Sequence, residues 1–210
     1  MLSLSGIPFV VLPVNVDETS FPNEEPAFCV RRLSETKARA AVKLAESMGF
    51  PKNQLVLASD TIVVSGGMIL GKPRDGQNAL EMLTHLRGKI HQVLTAISLA
   101  WVKGGEVTTD LCCTDVPMRD YSDDEMTGYI ATGDPLDKAG AYAIQHAGFH
   151  PVERMAGCYA SVMGLPLCHL VKRLAQFGFK IEEDIPAACQ HYLEYDCPVY
   201  QTILGDYGST

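Results

Sequence analysis

Two Gly-Gly pairs, at 66–67 and 104–105, each separate two runs rich in Val, Ile, Leu and Thr. Glycine reaches the positive-φ conformations that tight hairpins need, so such a pair between strand-forming runs marks an antiparallel turn. The first pair joins a strand over 55–64 to a short one over 68–70, with the turn at 65–67. The second joins a long strand over 91–102 to another over 106–119. A chain with both hairpins must build much of its core on a sheet.

Helical periodicity fills the space between the strands. Residues 25–48 put Leu33, Ala41, Leu44 and Met48 on one stripe and stop at Gly49, with Pro51 beyond. Residues 77–87 repeat Ala79, Leu80, Leu83 and Leu86 at helical spacing and end at Gly88. Ser122 with Glu125 three residues later is a capping-box signature. Residues 166–177 form an amphipathic pattern ending at Gly178. "IPFVVLPVNV" (7–16) reads as a further strand, and 152–162 as extended chain. Residues 133–145 read as a Gly/Pro loop leading into a short ordered segment. The mixture predicts an α/β (α+β) domain with a mixed sheet and flanking helices.

Composition narrows the partners. A formal net charge of −8 argues against a nucleic-acid polymer or an anionic membrane surface. No run approaches 18 apolar residues, so no membrane span is expected, and no basic region precedes the first apolar residues as a signal peptide would require. Seven cysteines, an odd number without CxxC spacing, predict a reducing cytoplasm, with neither a disulfide framework nor a zinc site. A small anion remains possible wherever lysines converge.

Several charged residues stand where charge is expensive. Asp60 interrupts the apolar run "LASDTIVV". An unpaired ionised carboxylate there would cost several kcal/mol, so Asp60 needs a cation, a metal or solvent. Capping a helix or pairing with an arginine would also satisfy it. Lys37 falls on the apolar stripe of the first helix, either with a snorkelling stem or as a cation aimed into a cleft. Lys72 lies between Gly71 and Pro73, suited to a phosphate but equally to a solvated turn. In "PLDKAGAYAIQ" (135–145), Asp137, Lys138 and Gln145 stand among small residues. A buried glutamine must satisfy donors and an acceptor, which a nucleobase edge or ordinary backbone can do. Glu18 closes "VNVDE" and with Asp60 could hold a divalent ion, or be solvated loop charge. Carboxylates with lysines are what triphosphate cleavage needs. A phosphatase using an aspartate nucleophile wants a second Asp two residues on, but Asp60 is followed by Thr61 and Ile62.

The order and spacing of "VDE" (16–18), "LSETKA" (33–38), "ASDTIV" (58–63), "ILGKP" (69–73), "PLDKAGAYAIQ" and "VMGLPL" (162–167) resemble the Maf-like nucleoside triphosphate pyrophosphatases, over roughly residues 6–178. The resemblance implies an elongated α/β fold with a mixed sheet and a central cleft, often dimeric. It implies a hydrolase acting on acid anhydrides, cleaving nucleoside triphosphates to the monophosphate and pyrophosphate with Mg²⁺ or Mn²⁺. Residue by residue, Asp60 would activate water and Glu18 would help bind the metal. Lys37, Lys72 and Lys138 would contact phosphates, with Asp137 beside them. Thr61 and Gln145 would tune base choice, and their types resemble the dTTP/UTP branch. The family pattern also has a strand and a Ser-x-Ser-x-Arg-Arg loop ahead of "GIPF". This sequence begins "MLSLSGIPF", so the expectation is a shortened domain over 1–180 and an extension of unknown role over 181–210. The alternative is a nucleotide-binding regulatory protein with weak or no catalysis, the arginine loop being missing.

Overall fold

A computed structural model describes residues 1–205. Four strands form one sheet in the order β2-β1-β3-β4: β1 (Leu55–Ser65), β2 (Met68–Leu70), β3 (Ile90–Trp101) and β4 (Thr108–Pro117). The expected mixed sheet is antiparallel at every pairing among the described strands. Both Gly-Gly turns are present, with Gly66, Gly67, Gly104 and Gly105 all at positive φ.

Helix α1 (Pro26–Ser47) begins with proline in its first turn, where the missing N–H costs nothing, and ends before Gly49 at φ 75°. It covers one face of the sheet. Val30 packs there against Ile62, Val64, Leu94 and Ala96, the even-numbered positions of β1 and β3. The odd-numbered positions face the other layer. Val63 and Val93 pack with Leu83 and Leu86 of α2 (Gly76–Leu86) and Met126 and Tyr129 of α3 (Asp123–Ala131). Ile97 and Leu99 pack on Leu167 and Leu170, which lie on α5 (Leu167–Gln176), after the single turn α4 (Tyr159–Val162). Each wholly buried leucine contributes about 1.5–3 kcal/mol. The Ser122–Glu125 capping box forms as expected, with both reciprocal hydrogen bonds.

Two readings need correction. Residues 7–16 join no ladder, and Phe9, Val10 and Val11 are largely exposed. Pro8 and Pro13 remove two backbone donors from that run, and no described strand lies alongside it. It borders an apolar groove of about 460 Å³ shared with Leu55, Val56 and Leu57. Residues 152–162 are only partly extended: Val152 makes one bridge to Met118, and Tyr159–Val162 is helical. Residues 181–205, part of the extension of unknown role, hold α6 (Ile185–Leu193), capped by the Asp184 side chain, and α7 (Tyr200–Leu204). Ile185 is buried beside Leu170, and the Tyr195 hydroxyl donates to the carbonyls of Met155 and Gly157. The last five residues, 206–210, lie outside the described ones.

Candidate active site

The pleat of β1 sends successive side chains to opposite faces. Asp60 therefore points toward α1, and Thr61 toward the other layer. Strand β2 pairs only with Val63–Ser65, so the edge of β1 beside Asp60 and Thr61 is open. A cleft of about 420 Å³ wraps around that open edge and receives side chains from both faces. Glu18, Lys37, Asp60, Thr61, Lys72, Asp137, Lys138 and Gln145 all line it. Every site residue singled out in the sequence is thus brought to one place.

On the α1 side, the Lys37 ammonium donates to Asp60 and lies 2.6 Å from Glu18. The apolar stripe of α1 carries a cation into the cleft, which settles the choice left open by its position. Burial works against the Lys37 charge, but its hydrogen bonds to Asp60 and Glu18 outweigh this and hold its pKa above the ordinary value. Burial pushes the Asp60 carboxyl up, against the opposing pull of Lys37. The more open Glu18 is held below its usual range, chiefly by its hydrogen bond with Lys37. Lys72 arrives just after β2, its Nζ 4.0 Å from Glu18.

The segment 134–145 closes the cleft in two 3-10 turns, Asp134–Asp137 and Ala139–Ala141. Lys138 reaches Asp137 at 2.6 Å and Asp134 at 3.3 Å. Gly140 sits at φ 70°, and a Cβ there would come within 3.0 Å of both Val63 methyls. Its N–H donates to the carbonyl of Gly71 at 3.0 Å, joining the Lys138 segment to the loop that carries Lys72. Ala141 follows at φ 61°, an uncommon conformation for a residue with a side chain.

Behind these lies a second layer of polar groups, of which sequence reasoning noted the polar tip of Tyr142 and missed His91, Thr95 and Ser59. Tyr142 is buried and hydrogen-bonds His91 on β3 at 2.8 Å, their rings edge-on. Burial pushes the His91 imidazole down to about 4. Thr95, fully buried, lies directly across the ladder from Thr61, their hydroxyls 2.9 Å apart. Ser59 donates to the carbonyl of Gly164 at 2.7 Å. The available signal was a hydroxyl or imidazole inside the otherwise apolar run "HQVLTAISLAWV".

Comparison with known proteins bears on this geometry. The family model described as Maf-like protein matches residues 1–177. This chain belongs to that family. The dTTP/UTP pyrophosphatase of Citrifermentans bemidjiense is 43% identical to this Maf-like protein over 178 residues, covering 85% of this chain and 89% of the relative. That of Hahella chejuensis is 42% identical over 184 residues, covering 88% and 89%. That of Thermomicrobium roseum is 41% identical over 205 residues. Covering 95% of this chain and 88% of the relative, the last match reaches into the segment after residue 180. The α/β fold of this Maf-like protein and its converged cleft agree with the family assignment. No described helix is long and apolar enough to cross a membrane.

Proposed function

We propose that this Maf-like protein hydrolyses UTP, dTTP or modified pyrimidine triphosphates to the monophosphate and pyrophosphate. The observation that carries this reading is the single cleft in which a buried, lysine-paired aspartate meets two further lysines and a wall of polar groups. Three relatives bearing the dTTP/UTP pyrophosphatase name support the substrate class.

In this reading, Asp60 accepts a proton from water as its oxygen attacks the α-phosphorus. The bond from that phosphorus to the oxygen bridging it to the β-phosphorus breaks, and pyrophosphate carries the electron pair away. Burial makes Asp60 a stronger base than a solvated aspartate, and Lys37 keeps it oriented and ionised. Lys37, Lys72 and Lys138 hold the phosphate oxygens, countering negative charge as it moves to the leaving group. Thr61 and Gln145 meet the base, and Asp137 orients Lys138.

The donor chemistry suits Mg²⁺ or Mn²⁺: Glu18 and Asp60 already converge on one cationic centre, Lys37 Nζ. Among the described residues no cluster of three or more potential ligands exists, so the substrate phosphates would complete the set, as is usual for Mg²⁺. Such an ion would neutralise phosphate charge and lower the pKa of a bound water.

Asp60→Asn tests the assignment. We expect pyrophosphate release to fall at least about 100-fold with the melting temperature retained or raised. Wild-type turnover in that variant would remove Asp60 as the base. We place the chain in the cytoplasm because all seven cysteines are free thiols. The nucleotide site belongs to residues 1–180, with 181–210 as an extension whose Tyr195 hydroxyl braces residues 155–157. The exposed run Phe9–Val11 supports association of two copies, which sedimentation at two concentrations would test.

A further inference from the structure

The hydroxyls on the Thr61 side of the cleft have a fixed polarity. A threonine or serine hydroxyl has one proton to donate and two lone pairs. Thr95 Oγ1 donates to the backbone carbonyl of Ser161 at 2.8 Å, and a carbonyl has no proton to offer in return. With that proton committed, Thr95 can only accept from Thr61, whose Oγ1 is 2.9 Å away. The Thr61 proton is therefore turned away from the cleft, and only lone pairs face inward. Ser59, two residues earlier on the same face of β1, is in the same condition. Its proton is shared between the carbonyls of Gly164 at 2.7 Å and Ala96 at 3.0 Å. Both hydroxyls line the cleft. These two hydroxyls accept hydrogen bonds from the cleft and offer none.

An acceptor wall repels phosphate oxygens and attracts N–H and O–H groups. The three lysines of the cleft supply the complementary surface for phosphates. In a nucleotide site, these two hydroxyls would suit the N–H groups of a nucleoside and the three lysines the phosphates. Uracil and thymine carry an imide N–H between two carbonyls. Cytosine carries a lone pair at that ring position.

We propose that Thr95 is a positioning residue for base choice: it takes the Thr61 proton, so that Thr61 can only accept, and Thr61 in turn selects nucleotides with an imide N–H. This rests on the reading of the cleft as a nucleoside triphosphate site. A site that accepts where the wrong base also accepts leaves two lone pairs opposed and desolvated, the kind of mismatch that discriminates strongly.

The experiment measures pyrophosphate release with UTP, CTP and 3-methyl-UTP by the wild type, Thr95→Val and Thr95→Ser. Valine keeps the shape of Thr95 but cannot accept, so Thr61 becomes free to rotate and donate. We expect wild-type kcat/KM for UTP to exceed that for CTP and for 3-methyl-UTP by about 100-fold. In Thr95→Val the UTP-to-CTP ratio should fall at least tenfold, and Thr95→Ser should restore it. A merely structural role for Thr95 would lower all rates together and leave the ratio unmoved. A ratio in Thr95→Val within twofold of the wild type overturns the proposal while leaving the activity intact. So does equal turnover of UTP and 3-methyl-UTP by the wild type, a readout that survives if Thr95→Val fails to fold. No turnover of any triphosphate by the wild type would overturn the activity and this inference with it.

Discussion

Gly140→Ala is the most informative single change in the fold. The backbone at residue 140 is left-handed, which costs an alanine roughly 1–2 kcal/mol. The added methyl would lie 3.0 Å from both methyls of Val63 and 3.1 Å from its Cβ. Val63 cannot recede: it is buried and paired on both sides, with Leu70 of β2 and Val93 of β3. Overpacking of that kind costs typically about 1–3 kcal/mol. The two terms together give about 2–5 kcal/mol. At about 2–4 °C per kcal/mol for a chain of this size, we predict a melting temperature lower by about 5–15 °C, read by circular dichroism. Part of the strain can be relieved by moving the 138–141 segment off Gly71, which would separate Lys138 from Lys72 and raise KM for the triphosphate. The steric term is isolated by a double-mutant cycle with Val63→Ala, which should show a favourable coupling of about 1 kcal/mol or more. A melting temperature within about 1 °C of wild type, or strictly additive losses in the cycle, would refute the close-approach argument.

Lys37→Met leaves Asp60 buried without its hydrogen-bonded cation and still opposed by the like charge of Glu18, and we expect a loss of about 3 kcal/mol at pH 7.5. The deficit should shrink toward pH 5 as Asp60 takes up a proton; a gap independent of pH would count against an ionised Asp60 in the wild type. His91 is held neutral, at about 4 against an ordinary 6.5, so the unfolded chain binds a proton that the fold refuses between those values. Stability is therefore complete above pH 6.5 and lost as pH falls, by about 3 kcal/mol at most for this group. His91→Gln should flatten that part of the melting profile, and an unchanged slope would show that His91 is not the cause.

The elements that were legible in the sequence are those whose signals are local. The Ser-Gly-Gly turn, the Ser122–Glu125 cap and the Gly-terminated helices each rest on a few adjacent residues and need no partner. Residues 7–16 failed for the opposite reason. Strand propensity describes fitness for a pleated, half-buried surface, and among the described residues that run has no neighbouring strand to supply one. The candidate site was legible because Asp60 and Lys37 are charges in apolar patterns, each anomalous where it stands. Thr95 and His91 were not read as site residues, since a hydroxyl or imidazole in an apolar strand is a weak signal that ordinary backbone partners can satisfy. Their roles depend on Ser161 and Tyr142, 66 and 51 residues away along the chain.

The brevity of β2 has a further consequence. Three paired residues leave most of the β1 edge unsatisfied by any strand, and an open edge is a template for self-association. Charged side chains beside such an edge act as gatekeepers, because pairing with another strand would desolvate them. Asp60 and Lys37 are therefore placed to guard the sheet as well as to serve the cleft. Substitutions that neutralise both, chosen to silence activity, should also make the protein scatter light at concentrations where the wild type stays clear. Lengthening β2 would satisfy the edge but fill the space that the cleft occupies. The same three-residue strand keeps the cleft open and leaves the sheet exposed, so solubility and accessibility of the cleft cannot be tuned independently in this chain.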